Sequence, residues 1–569
     1  MNAHAPSSEP SPGRSGFHVG PLNAPVFFFL LALCLSAPLV CLTDVPDRDV
    51  ADRYAPMAEA FAEGAWAFAF HPRVPMFYSA ICGFLVRLFG VGGFTAAKLV
   101  SAGCFAAAVF PLYGVMRRVF DETVAAGSLL IYVVNPFLLR LSGTGLRENL
   151  KCLLLLMMVH AIFLIAERRK SPWLYLYLGA VSGILMITRS EMILFCGLVL
   201  FGAMVYEAYH ARFPWRGLAG TILAAAAVCV PTVVNDAVFA LPTPEVRFLT
   251  LFHEIAGRAP SLPEALLIAA VTPVFMTGLS VAIARVFAGK RMKPMLVSAG
   301  IAFAVASVIL FVRQAIRTDE EFLFDVFLTF ERAFDPLWSV PALIGLAFRF
   351  RDRLFSPAER LLLVIIAVHT FVVVNQIVLY DNTVEFSMRY LVPVSPLGFG
   401  WTYCGVRILA LLLGRHVPRV KTRPAMAVLL TAYVCGALFH CIGPLLKNYF
   451  EPRHKAVRTG TLRLAEVIRR NSPAQSRAVA PAFRSDGYES AAVPGVFFEH
   501  DSKYCAAAYL AGGRMVRQID HADFYVTVPQ SSEVPSRPPT KGDWVPLDET
   551  VSMGSRGICT VYRRGEVTP

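Results

Sequence analysis

The chain of 569 residues is 56% hydrophobic and 16% charged, with a mean hydropathy of +0.55. A soluble domain is about 45–50% apolar and about 25% charged, so this is a polytopic membrane protein. Its net charge of +13 lies mostly in short loops between apolar segments, the pattern that orients membrane proteins, which argues against nucleic acid as a partner.

In chain order, residues 1–23 are rich in Ser, Pro and Gly and read as a disordered cytoplasmic leader. The apolar run Ala24–Leu42 is long for a signal-peptide core and has no Ala-x-Ala site after it. It is expected to be a retained span. Directly after it comes Asp44-Val-Pro-Asp47-Arg48-Asp49-Val-Ala-Asp52-Arg53-Tyr54, continuing through Pro56, Glu59, Glu63 and Gly64 to His71-Pro72-Arg73. A solvated acidic loop is the plain explanation of so many carboxylates; a catalytic loop at a membrane surface is the alternative. Val50, Tyr54, Met57 and Phe61 recur at helical spacing, with Asp52, Glu59 and Glu63 on another face. Pro56 suits a first helical turn, so a helix is expected from near Tyr54, with Asp47, Asp49 and Asp52 in the turn before it.

Spans need about 20 apolar residues each. They are expected at 24–42, 94–116, 123–140, 150–166, 173–189, 191–208, 217–239, 265–287, 295–313, 336–348, 359–380, 391–413 and 425–446. The segment Pro75–Phe89 is ambiguous, and parity decides it. If it does not span and the N-terminus is cytoplasmic, six basic clusters, from Arg117-Arg118 to Arg415/Arg419/Lys421/Arg423, all face the cytoplasm. The segment is also only ~22 Å long at 1.5 Å per residue. About thirteen spans are therefore expected, with 43–92 as a first outer loop containing interfacial helices. Residues 24–446 form the membrane domain. Residues 451–569 are polar, with a helical pattern at 462–470 and short β-like runs at 478–483, 496–498, 524–528 and 558–562. They read as a small α/β domain on the extracytoplasmic side. Ten of the twelve cysteines lie in or beside apolar segments and read as small buried hydrophobes. Cys505 and Cys559, in the tail, are a candidate disulfide if the tail faces an oxidising compartment.

The outer face collects the chemistry-bearing residues. The first loop supplies Asp47 and Asp49, a literal Asp-x-Asp, and Asp52. The loop after the third span contains Arg140, Arg147 and Glu148. The loop near 241–263 contains Arg247, His253, Glu254 and Arg258, and the loop near 381–390 contains Asp381, Glu385, Arg389 and Tyr390. Ionisable groups near membrane depth are costly and often functional, though each has a plainer reading. Asp49 and Arg53 suit a surface ion pair, Glu148 a helix start, and Arg258, Arg389 and Lys98 interfacial snorkelling. Arg189 and Glu191 suit a structural turn. The chain has no GxxxxGK[ST] or GxGxxG phosphate loop, no HExxH, no Cys/His zinc cluster and no GxSxG elbow.

The order of these motifs resembles a known family. After the first span come an acidic loop followed by Tyr, a short helix ending Gly64-Ala65-Trp66, then His71-Pro72-Arg73-Val74-Pro75 and a helix ending Leu88-Phe89-Gly90. Glu148 follows in the second loop, then Gly183-Ile-Leu-Met-Ile-Thr188-Arg189, and late in the chain Arg389-Tyr390-Leu-Val-Pro393-x-x-Pro396. The chain resembles the integral-membrane GT-C glycosyltransferases, in particular the family 39-like branch of protein O-mannosyltransferases and the lipid A aminoarabinose transferase.

The resemblance implies an all-α polytopic GT-C-like membrane domain with a small extracytoplasmic α/β domain, in a bacterial inner or plasma membrane. It implies transfer of a sugar from a polyprenyl-phosphate-linked donor to a hydroxyl-bearing envelope acceptor, with inversion. By the same resemblance a first-loop acid is the general base, Asp49 before Asp52. The family's acid stands about four residues before the Tyr, whereas Asp49 stands five before Tyr54. Glu148 matches the second-loop acid that positions sugar or acceptor. Arg258, with Arg73 and Arg389, would hold the departing phosphate. Asp47, Tyr54, His71, His253, Glu254 and Tyr390 complete the expected substrate-binding set. Asp47 and Asp49 are also a candidate site for a divalent cation, as Asp-x-Asp is in other transferases. The competing readings are a multi-span transporter or flippase and a ligase for lipid-linked saccharides. The first calls for repeated halves and mid-membrane charges, the second for a major loop late in the chain; neither pattern is seen.

Overall fold

The computed structural model describes residues 23–65, 69, 76–167, 171–189, 192–211, 213–239, 262–287, 334–352, 354–379, 388–416, 421–450 and 452–471, and strands at 495–498, 514–515, 524–527, 544–552 and 558–564. The leader, the span expected at 295–313, the strand expected at 478–483 and Cys505 lie outside the described residues.

Helices fall on the other twelve expected spans. Among the described residues, six helices are long and apolar enough to cross a membrane, or seven if one bent pair counts as a single span. Helix α1 (Asn23–Leu42) is followed by the first loop, α2 (Ala55–Glu63) and α3 (Phe77–Phe89). Helices α4 (Gly93–Ala107) and α5 (Val109–Val119) form one continuous apolar stretch. Helices α6 (Glu122–Val133) and α7 (Pro136–Thr144) meet at a 51° bend. The bend has a local cause, since Pro136 opens α7 and the Asn135 side chain accepts from Leu138 N–H at 3.1 Å, capping the new helix. Arg140 therefore lies in a helix, where an outer loop was expected. Next come α8 (Glu148–Glu167), α9 (Pro172–Thr188), α10 (Met192–His210), α11 (Trp215–Phe239), α12 (Leu262–Phe287), α13 (Pro336–Arg351) and α14 (Pro357–Leu379). A 3₁₀ segment at Val392–Gly398 leads into α15 (Phe399–His416), followed by α16 (Thr422–Phe450) and α17 (Pro452–Asn471).

The short helices of the first loop pack against each other and against α4. Helix α3 has 13 residues, ~20 Å at 1.5 Å per residue, against a hydrocarbon core of about 30 Å. It buries Tyr78, Ser79, Cys82 and Gly83 and exposes Phe84, Leu88 and Phe89. Gly83 is needed for its approach to α2: a Cβ there would lie 2.5 Å from Phe61 Cβ.

The tail begins with α17, longer than the expected 462–470 and amphipathic, with Leu464, Val467 and Ile468 buried. The strands β1 (Gly495–Phe498), β2 (Arg514–Met515), β3 (Phe524–Thr527), β4 (Trp544–Ser552) and β5 (Ile558–Arg564) form one mixed sheet in the order β2-β1-β3-β5-β4. The sequence reading anticipates β1, β3 and β5 and misses β2 and β4. Strand β4 contains Pro546, Asp548 and Glu549 and a register irregularity between Pro546 and Thr550. Pro is tolerated at a sheet edge, and β4 is an edge strand.

Candidate active site

The first loop is fastened to the bundle by a lysine. Lys98 of α4 donates to the carbonyls of Val40 (2.7 Å) and Thr43 (2.8 Å), closing the C-terminal end of α1. The snorkelling expected of Lys98 is thus corrected: its ammonium satisfies helix-end carbonyls that would otherwise lack donors.

From there the chain enters a π-turn, Val50–Tyr54, that runs without a break into α2. Helical structure therefore begins before Tyr54, and Asp49 and Asp52 both lie inside it rather than in a preceding turn, which keeps only Asp47. Pro56 supplies a reason. A proline in a helix lacks the N–H that would bond four residues back, and its ring crowds that carbonyl; widening the preceding turn relieves the clash. The wider turn also answers the spacing departure. With about 4.4 residues per turn, positions five apart share a face much as positions four apart do in an α-helix. Asp49 and Tyr54 are thereby placed on one side.

Three carboxylates and three guanidiniums meet at this end of the bundle. Arg389 Nη1 donates to Asp49 Oδ2 at 2.8 Å and lies 3.9 Å from Asp47 Oδ1. The Asp49 N–H donates to Asp47 Oδ1 at 3.1 Å. Arg189 Nη2 donates to Glu148 Oε1, both side chains being buried. Glu148 Oε2 is buried and without a hydrogen-bond partner among the described residues. The Arg189 guanidinium lies 4.8 Å from the centre of the Tyr390 ring, and that of Arg147 5.3 Å from the centre of the Tyr54 ring. Arg147 Nη1 also donates to the Thr188 carbonyl at 3.1 Å. Gly145, with φ of +76°, ends α7 and turns the chain so that Arg147 and Glu148 follow at once.

The electrostatics differ between the two neighbouring aspartates. Burial pushes the Asp49 carboxyl up, but Arg389, Arg53 and Arg147 together outweigh it and hold its pKa below the ordinary value. Burial also acts on Asp47, where Arg389 opposes it and the negative charge of Asp49 adds to it; the result is a raised pKa. The Asp47 side chain is nevertheless 43% accessible, so solvent moderates that shift. Burial pushes the Tyr54 hydroxyl up to about 12, keeping it protonated. For Arg389, burial favours the neutral form, but Glu148, Asp49 and Asp47 overcome it and raise its pKa.

Of the residues expected from sequence, Asp47, Asp49, Tyr54, Glu148, Arg389 and Tyr390 are brought together. Asp52 is not joined to them by any hydrogen bond shown; it pairs with the adjacent Arg53 at 3.4 Å. His71, Arg73, Glu191, His253, Glu254 and Arg258 lie outside the described residues. Arg189, expected to be structural, is part of the cluster, as are Arg147 and Lys151. The signal for Arg189 was its place at a helix end, closing the Gly183–Arg189 motif. Among the described residues no group of three or more His, Cys, Asp or Glu could hold a metal ion. The cation set between Asp47 and Asp49 is the guanidinium of Arg389.

Residues 71–234 match the sequence model of the family described as dolichyl-phosphate-mannose-protein mannosyltransferase. No curated protein matches the chain by sequence. Among solved structures, ArnT from Cupriavidus metallidurans bound to undecaprenyl phosphate is similar over 95% of this chain and 98% of that one, with 14% identity and a TM-score of 0.54. The oligosaccharyltransferase AglB from Archaeoglobus fulgidus, in complex with an inhibitory peptide and a dolichol-phosphate, is similar over 88% of this chain at 14% identity and a TM-score of 0.51. This chain spans 65% of the AglB chain. The mostly helical GT-C-like fold expected from the sequence is the one these structures share, and the family model matched by residues 71–234 agrees with the resemblance drawn from the motifs.

Proposed function

We propose that the protein transfers a sugar from a polyprenyl-phosphate-linked donor to a hydroxyl acceptor at the outer membrane face, with inversion. The observation that carries this reading is the set of Asp49, Arg389 and Glu148 brought together, with the Glu148 Oε2 atom buried and, among the described residues, without a hydrogen-bond partner. The likeness to a structure containing undecaprenyl phosphate and to one containing a dolichol-phosphate, together with the mannosyltransferase family match, supports a lipid-phosphate donor. A lipid-linked donor also explains why the polar cluster sits at the end of an apolar bundle and why no nucleotide-binding motif is needed.

The chemistry assigns each group a task. The acceptor oxygen attacks the anomeric carbon, the bond from that carbon to the phosphate oxygen breaks with its electron pair, and the acceptor proton passes to Asp49. Arg389 holds one carboxylate oxygen of Asp49, leaving the other to receive that proton. Positive charge develops on the sugar and negative charge on the departing phosphate. Guanidinium groups at the site, with Arg73 and Arg258 as the expected additions, stabilise the phosphate. Glu148, held through Oε1 by Arg189, presents Oε2 to a hydroxyl of sugar or acceptor. The N-terminus is cytoplasmic in this reading, and residues 451–569 form the extracytoplasmic domain.

The test is sugar transfer from a polyprenyl-phosphate donor in proteoliposomes. Asp49→Asn is expected to lower the rate ~10²–10⁴-fold, the usual contribution of a general base, with Asp52→Asn close to wild type. A wild-type rate for Asp49→Asn overturns the base assignment. Rates unchanged by exhaustive chelation would remove a divalent cation at Asp47 and Asp49 from the mechanism.

A further inference from the structure

One fully buried cation has no part in that chemistry. Lys151 of α8, one turn beyond Glu148, is 0% exposed, and its Nζ donates to the Tyr390 carbonyl at 3.0 Å. A buried ammonium near membrane depth is costly and is kept where it secures something. What it secures is a carbonyl that the local backbone leaves without a donor. Tyr390 ends a 3₁₀ turn, Met388–Tyr390, and stands just before the segment Val392–Gly398. The N–H three residues on would bond its carbonyl, but that residue is Pro393, which has none. The next N–H, of Val394, donates to Leu391 instead, at 3.0 Å.

We infer that Lys151 is a positioning residue: by holding the Tyr390 carbonyl from α8, it keeps the neighbouring Arg389 against Asp49. Tyr390 is gripped twice, at its carbonyl by Lys151 and over its ring by Arg189. Arg389, the residue just before it in the chain, then spans to the first loop. The other charged groups facing Asp49 are Asp47 in the same loop, Arg53 in the π-turn, and Arg147, which immediately precedes α8.

The inference rests on Asp49 being the base, and two readouts on the full-length chain keep the two ideas apart. The first is the pH profile of sugar transfer in proteoliposomes for wild type and Lys151→Met, which removes the donor but keeps an apolar chain of similar length. A kcat ~10–100-fold lower, the scale of loss for a displaced catalytic group, is expected, with the acid limb moved upward as Arg389 slackens its hold on Asp49. The second is hydrogen exchange of residues 388–398 in nanodiscs, expected to quicken in Lys151→Met and to be slower again in Lys151→Gln, which retains an N–H donor. Unchanged exchange overturns the inference, and so does a lower rate with an unmoved acid limb, which would make Lys151 a packing residue only. If the wild type transfers no sugar from any lipid-phosphate donor, the proposed reaction fails, while the exchange measurement still decides whether Lys151 holds the segment.

Discussion

At Asp49 two large effects act on one carboxylate and the cations win, so the pH dependence of the site has a definite sign. Its folded pKa lies below the unfolded one. The Asp49–Arg389 pair therefore adds stability fully above the ordinary carboxylate value of about 4 and loses it as pH falls through the lower folded value. Asp47, with its raised pKa, has the opposite sign: its ionisation opposes folding as pH rises, and acid relieves it. The melting temperature of wild type should exceed that of Asp49→Asn at neutral pH, with the difference shrinking below about pH 4. A difference constant with pH would show that the ion pair is not the cause. The Glu148–Arg189 pair is more deeply buried, and removing one partner strands a charge. Arg189→Met is expected to destabilise by ~3–5 kcal/mol, with Glu148→Leu added to it recovering a good part of the loss. Thermal unfolding in detergent checks this; a single variant as stable as wild type would mean that the pair is hydrated. Neither this pair nor Lys151 was evident from the residues alone. A lysine inside an apolar run gives no hint that its acceptor is a carbonyl 239 positions away, whereas the clustered first-loop acids announced themselves by composition.

At the scale of elements, the π-turn Val50–Tyr54 ties an anomaly of sequence to the site. Read as an α-helix, Asp49 and Tyr54 fall one position out of step; the extra residue is absorbed in a turn of i→i+5 bonding, seen in the Ala55 N–H bonded to the Val50 carbonyl. Deleting Ala51 should convert the turn to α geometry and leave Asp49 four residues before Tyr54, with the loop at 43–47 taking up the slack. Activity within ~10-fold of wild type is expected, since the facing is retained, whereas inserting one alanine at the same place rotates Asp49 away by ~100° and should abolish transfer. An inactive but folded deletion variant would break the link between the turn and the site. Elements with sustained apolar periodicity were legible: the helices fall where hydropathy put them, because a membrane span must satisfy its backbone internally. The bend at Asn135-Pro136 and strand β4 were not, because each follows a local rule, capping at a proline or an irregular edge strand, that the broad pattern overrides.

At the scale of the whole molecule, the helix that follows the membrane domain meets the first loop. Arg458 of α17 grips Asp44 through both carboxylate oxygens, Nε to Oδ1 at 2.9 Å and Nη2 to Oδ2. Asp44 stands in the same loop as Asp47 and Asp49, so the helix that opens the polar tail is latched to the strip that carries the candidate base. Composition marked both the acidic loop and the onset of the tail at 451, but nothing in either stretch said they touch, because the two residues are 414 positions apart. The pair is partly solvated, with side chains 25% and 36% exposed, so its direct worth is modest, ~0.2–1 kcal/mol. Its consequence is geometric: it fixes where the tail begins relative to the loop that carries Asp47 and Asp49. Deleting 451–569 is therefore expected to change which hydroxyl acceptors are used, and unchanged acceptor choice would remove the tail from recognition. The latch itself is separable from that role by a charge swap. Asp44→Arg and Arg458→Asp should each lower the melting temperature and impair transfer, since each sets two like charges in contact. The double variant should recover most of both, because the bidentate pairing is rebuilt in reverse. Two single defects that simply add in the double variant would show that the contact couples nothing, and that the loop is held by Lys98 and the α2–α3 packing alone.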